Sequence, residues 1–125
     1  MRHPRSLLSS FRCALTGLAW AFQTQRNLRL HVAASFLAVL AGLLAELSVW
    51  KWCVLAGCLG LVVAAELLNT AIELALDRIS TDQHRLTGAA KDIGSAAVLL
   101  SFIVMAIAWA SIAAPVILGL ILQSF

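Results

Sequence analysis

After Asp92 the chain carries no charged residue: Ile93 to Phe125 is apolar or weakly polar to the end. A helix needs roughly 20 apolar residues to cross a bilayer, and few other structures can accommodate such a run. Two more uncharged runs precede it, Leu30 to Ala45 and Trp52 to Ala65. With no water in the hydrocarbon, the backbone of each run must satisfy its own hydrogen bonds, which a helix does. The composition agrees: 62% of residues are hydrophobic and 12% charged, against about a quarter charged in a soluble domain. We therefore expect an all-α membrane protein, a single integral-membrane domain over residues 1–125, with three spans at about 30–48, 50–79 and 90–114. That leaves no room for a separate soluble catalytic domain. Any chemistry must be built from the helices and their short connections.

The charges fix an orientation. Arg2, Arg5, Arg12, Arg26 and Arg29 precede the first apolar run, Lys51 stands alone after it, and Arg78, Arg85 and Lys91 lie between the second and third. By the positive-inside rule the N-terminus and the second connection face the cytoplasm, and the Lys51 turn and the C-terminus lie outside. The basic residues are juxtamembrane, so no nucleic-acid partner is expected. The three cysteines, Cys13, Cys53 and Cys58, form no CxxC or zinc-spaced cluster and read as small apolar filler. The basic segment before the first run is too long for the n-region of a signal peptide.

Within residues 6–25, Leu7, Leu8, Phe11, Leu15, Leu18 and Phe22 fall on one helical face, and Ser9, Arg12, Thr16 and Gln23 on another. Such an amphipathic helix suits the inner membrane surface. The polar tract from Ser80 to Gly88 reads as the one real loop. Pro115 is expected to end or kink the third helix.

The second helix poses the chemical question. Glu66, Asn69, Glu73 and Asp77 follow its apolar start and point within about 80° of one another. Counted from Lys51, Glu66 lies about 22 Å along a helix that rises 1.5 Å per residue, so it falls inside the roughly 30 Å hydrocarbon layer. A carboxylate there costs several kcal/mol unless paired, hydrated or protonated, and usually marks a functional site. Glu73 and Asp77 reach the inner surface. Across the loop, Lys91 and Asp92 are expected at the start of the third helix, where free N–H groups and the helix dipole favour phosphate. Gly94, Ser95, Ala96 and Ala97 permit close helix approach. A buried glutamate can deprotonate a hydroxyl presented from the lipid, and carboxylates can share Mg²⁺ with substrate phosphates. These parts suit phosphoryl transfer to a membrane alcohol. Neither a Walker A motif nor a protein-kinase glycine loop is present. Glu66 and Glu73 stand about 10.5 Å apart along the axis, too far to share one ion easily. Three helices are also too few to enclose both a nucleotide and a lipid, so an oligomer is expected. A small proton-coupled transporter, which can also carry a lone membrane glutamate, is the alternative of another class. It requires access from both sides, whereas these polar groups gather at one.

The runs "ELLNTAIELALDRIS" and "AKDIGSAAVLL", with the histidine between them, resemble the bacterial integral-membrane diacylglycerol kinases, a family that includes undecaprenol kinases. The likeness extends more loosely to "FRCALTGLAWAF" and "NLRLHVA". It implies a homotrimer in the bacterial inner membrane, with composite sites between subunits, ATP as co-substrate with Mg²⁺, and transfer of the γ-phosphoryl group to a lipid hydroxyl. It implies Glu66 as catalytic base with Asn69 supporting the site. Glu73 would bind metal in the nucleotide site, Lys91 and Asp92 would lie by the phosphates, and Asp77 and His84 would lie near the nucleotide. One departure stands out: Gln25 occupies the position of the family's second metal-binding glutamate, and an amide holds Mg²⁺ more weakly than a carboxylate. "NLRLHV" resembles the undecaprenol branch and "KDIGSAAVLL" the diacylglycerol branch. The reading favours diacylglycerol as acceptor, with undecaprenol as the alternative.

Overall fold

The computed structural model describes residues 6–79 and 85–123. They form four helices: α1 (Leu7–Thr24), α2 (Arg26–Leu44), α3 (Val49–Ile79) and α4 (Arg85–Gln123). The last three are each long and apolar enough to cross a membrane. α3 and α4 form the most extensive pairing, α2 lies against α3, and α1 touches both α2 and α3.

The described residues bury few side chains, and many of those are polar. Ala21, Leu28, Leu47, Leu55 and Val62 are buried, and so are Glu66, Asn69, Thr70 and Ser101. Large apolar side chains such as Phe36, Leu99 and Ile107 are exposed. This inversion is the one expected in lipid. The surroundings are as apolar as leucine, so apolar burial drives nothing, and helices associate through close packing and interhelical polar contacts. Leu55, Val62, Glu66, Asn69 and Thr70 make the buried stripe of α3: steps of seven and four lead to Glu66, and Asn69 and Thr70 follow it by three and four, as on one helix-packing seam.

The start of α1 and the junctions of α1 with α2 and of α2 with α3 have identifiable causes. The Ser6 hydroxyl accepts from the Ser9 amide at 3.2 Å and caps α1. α1 and α2 meet at a single extended residue, Gln25 (φ −100°, ψ 113°). The Arg29 guanidinium donates to the carbonyls of Phe22 and Gln23 at 3.3 and 2.8 Å, satisfying acceptors that the end of α1 leaves open. Between α2 and α3, the Leu47 amide donates to Gly42 O and the Glu46 amide to Leu43 O, the paired bonds of a Schellman turn. Glu46 takes the left-handed position of that turn, with φ 49°, where glycine is usual. The conformation costs a side-chain-bearing residue roughly 1–2 kcal/mol. Glu46→Gly should therefore raise stability by up to about 1 kcal/mol after glycine's extra chain entropy is subtracted. Denaturant unfolding in detergent measures this, and an unchanged or lowered midpoint would count against the strain.

The expectations for α4 are corrected at its start and narrowed at Pro115, where the helix does not end. Arg85 to Gly88 belong to the helix rather than to the connecting loop, and the helix runs on through Pro115 to Gln123. A glycine costs a helix only about 1 kcal/mol, too little for Gly88 to break it. Pro115 removes one amide donor and crowds the carbonyl one turn back. In an apolar medium, though, leaving the helix would strand many more backbone groups than one. The first span is shifted in the same sense: its helix covers 26–44 and not 30–48, because the chain re-enters the helix at once after Gln25.

Candidate active site

The polar face of α3 lines up at the end of the bundle where α1 joins α2, and its exposure is graded. Glu66 is 4% exposed and Asn69 8%, Glu73 is half-buried, and Asp77 is open. Each position meets a different partner. Glu66 Oε2 lies 4.0 Å from Nε2 of His31 on α2. Asn69 donates through Nδ2 to Glu73 Oε1 at 2.9 Å. Lys91 on α4 donates to Asp77 Oδ1 at 2.5 Å. The result is a ladder of three polar rungs, spaced by helical turns.

The middle rung depends on a glycine. A Cβ built on Gly94 would overlap Asn69 Oδ1, so the amide oxygen occupies the space a methyl group would fill. That oxygen is buried and accepts no hydrogen bond. Asn69 is therefore held between the Glu73 carboxylate on its own helix and the bare backbone of α4. Ser101, the buried hydroxyl farther along α4, donates to Val98 O of its own helix at 2.7 Å.

Beside Glu66 opens a cavity of about 280 Å³, lined by polar Asn27, His31, Glu66, Asn69 and Ser95 and closed by Val98, Leu99 and Phe102. It joins a buried carboxylate to apolar walls, a setting fit for an amphiphile whose polar end enters first.

The structure separates other residues that the sequence grouped. Lys91 lies two turns inside α4, because the helix begins at Arg85. Its surroundings do not offer the free N–H groups of a helix N-terminus, and its charge is directed to Asp77. Asp92 is exposed next to it. Gln25 stands at the α1–α2 elbow, its amide nitrogen 3.5 Å from Thr24 Oγ1 and not hydrogen-bonded to Glu73. His84 lies outside the described residues. Among the described residues no three His, Cys, Asp or Glu side chains converge to hold a metal ion. Mg²⁺ needs no such cage, since one or two carboxylates plus substrate phosphates suffice. Glu73 accepts from Asn69 through Oε1, and its carboxylate is a hard oxygen donor of the kind that fits an ion shared with phosphates.

Sequence reasoning missed His31 and Asn27 as lining residues. They are one turn apart on α2, an uncharged polar pair beside Arg26 and Arg29 at the start of the helix. The face argument applied to α3 would have found them there too.

A model of the family described as prokaryotic diacylglycerol kinase matches residues 12–113. The chain belongs to the prokaryotic diacylglycerol kinase family. This family of lipid kinases takes in close relatives of the chain from distant bacteria. A diacylglycerol kinase of Synechocystis sp. is 39% identical over 116 residues, which cover 92% of this chain and 66% of that protein, just under two thirds of its length. An undecaprenol kinase of Bacillus subtilis is 37% identical over 98 residues, covering 78% of this chain and 80% of the relative. A diacylglycerol kinase of Escherichia coli is 39% identical over 93 residues, covering 74% and 76%. The family match spans the whole polar ladder, from α1 to well inside α4.

Proposed function

We propose that the protein is an ATP-dependent diacylglycerol kinase that transfers the γ-phosphoryl group to the free hydroxyl of diacylglycerol, giving phosphatidic acid. The observation that carries this reading is the buried Glu66 carboxylate, which faces a part-apolar cavity one turn from the Asn69–Glu73 pair. A lipid can bring its hydroxyl to Glu66 from the membrane while the phosphates approach from the open end of the ladder. Glu66 is the base that takes the hydroxyl proton, and Asn69 fixes the position of Glu73. Glu73 faces the metal and the phosphates, and Lys91 and Asp92 border them. Asp77 orients Lys91, with His84 near the nucleotide. Mg²⁺, when bound, offsets the negative charge of the phosphates. Positioning and charge stabilisation supply most of the rate in such transfers.

The same reading makes the protein a homotrimer of the bacterial inner membrane, with its N-terminus and the 80–84 connection cytoplasmic and its C-terminus outside. α1 lies along the inner surface on its exposed apolar side chains, among them Leu7, Phe11 and Leu15. The undecaprenol kinase relative, nearly as similar as the others, supports a second acceptor, undecaprenol, at the same hydroxyl site.

Labelled ATP and Mg²⁺ given to the protein in mixed micelles with diacylglycerol or undecaprenol test both. Label in phosphatidate supports the first acceptor, and label in undecaprenyl phosphate the second. Label in neither, from intact protein, removes the kinase reading. Gln25→Glu should lower the Mg²⁺ concentration needed for half-maximal rate, because a carboxylate replaces an amide as oxygen donor. An unchanged Mg²⁺ dependence would exclude Gln25 from the metal site.

A further inference from the structure

The cavity at Glu66 holds a group that phosphoryl transfer as described does not use. His31 Nε2 stands 4.0 Å from Glu66 Oε2, and the two side chains are 19% and 5% exposed. On its other side the imidazole meets Phe102 of α4, with ring centroids 5.8 Å apart and planes tilted by 55°. Three helices thus converge on one pair: α3 supplies the carboxylate, α2 the imidazole and α4 the aromatic wall. An ionisable side chain at this depth of an apolar helix is costly and calls for a use. The remaining polar lining groups, Asn27 of α2, Asn69 of α3 and Ser95 of α4, are neutral, and α1 contributes none. Glu66 is therefore the one charged group among the lining residues that faces His31.

We propose that His31 is the positioning residue for Glu66 and the second acceptor of the proton that leaves the lipid hydroxyl. The inference rests on Glu66 being the base. As the hydroxyl oxygen bonds to the γ-phosphorus, the bond from that phosphorus to the bridging oxygen breaks and ADP leaves. The hydroxyl proton passes to the Glu66 carboxylate and from there to the neutral Nε2 of His31. This leaves an ionised Glu66 beside an imidazolium, which releases the proton to water past Asn27, one turn nearer the open end. Histidine suits the task because it gains and loses a proton near neutral pH. The 4.0 Å separation is long for a hydrogen bond, as such contacts commonly are before substrate closes the site.

The test uses the full chain in mixed micelles with ATP, Mg²⁺ and the lipid acceptor, comparing wild type, His31→Ala, His31→Gln and Glu66→Gln, each with and without added imidazole. The expected result is a kcat at least about tenfold lower in His31→Ala and His31→Gln, smaller than the loss from removing the base itself, with the KM for ATP unchanged. Added imidazole should restore the rate of His31→Ala saturably and leave His31→Gln, whose side chain fills the space, unaffected. Wild-type kcat in His31→Gln overturns the proposal, because an amide keeps the packing and polarity but carries no proton. So does an ATP KM that rises while kcat holds. If His31→Ala does not fold, the kcat of His31→Gln decides alone. Wild-type protein that labels neither acceptor would instead remove the kinase reading itself, and this inference with it, whereas a Glu66→Gln protein as active as a working wild type would remove the base and this inference but leave the kinase.

Discussion

Glu66→Gln should lower kcat by about 10²- to 10⁴-fold, the usual contribution of a positioned general base, while the protein folds as well as wild type or better. The substitution keeps shape and polarity and removes only the ability to accept a proton. Glu66 is 4% exposed, and among the described residues its ion-pair partner is His31 at 4.0 Å, so its ionised form is poorly compensated there. Replacing it with a neutral amide lifts a penalty of several kcal/mol that an isolated membrane carboxylate carries. Opposite signs on rate and stability are the signature of a group kept for chemistry. Steady-state rates in mixed micelles and thermal unfolding in the same detergent read the two quantities side by side. A Glu66→Gln protein with activity within a few-fold of wild type would reject Glu66 as the base. One that unfolds much earlier would show that the carboxylate holds the helices together.

Gly94→Ala should destabilise the α3–α4 pairing and reduce activity at once. In an open stretch of helix the change from glycine to alanine gains about 1 kcal/mol. At Gly94 the new methyl would overlap Asn69 Oδ1. Overpacking of a tight contact costs about 1–3 kcal/mol, and turning the amide aside breaks the bond from Nδ2 to Glu73, worth about a further 1 kcal/mol. The losses outweigh the gain, so the net effect is a destabilisation of about 1–3 kcal/mol. Because Asn69 holds Glu73, the Mg²⁺ concentration for half-maximal rate should rise as well. Gly88 on the same helix is the matched control. No atom lies within 4 Å of its built Cβ, so Gly88→Ala should be neutral or slightly stabilising. Equal behaviour of the two alanine variants would mean that the close approach at Gly94 does not constrain the site.

Whatever depends on neighbours along the chain was legible before any tertiary contact. Apolar runs long enough for a bilayer made three helices necessary, since lipid offers the backbone no other partners. A period of 3.6 residues put Glu66, Asn69, Glu73 and Asp77 on one side of α3 before any packing was known. The helix limits were less legible at Gly88 and Pro115. Local propensity argued for a break at Gly88 and a break or kink at Pro115, but glycine's preference is too weak to stop a helix, and at Pro115 ending the helix would expose unpaired backbone to hydrocarbon.

The tertiary structure alone decided the partners. His31 and Glu66, Asn69 and Gly94, and Asp77 and Lys91 each lie on different helices, far apart in the chain. Which side chains meet depends on the rotation and register of one helix against another, and no local rule sets these. It also decided that Lys91 faces Asp77 from two turns inside α4 and not from a helix end. The bundle buries few side chains, and in lipid its hydrophobic residues gain nothing by meeting. A handful of polar contacts and one bare glycine backbone therefore fix the register, and through it the site.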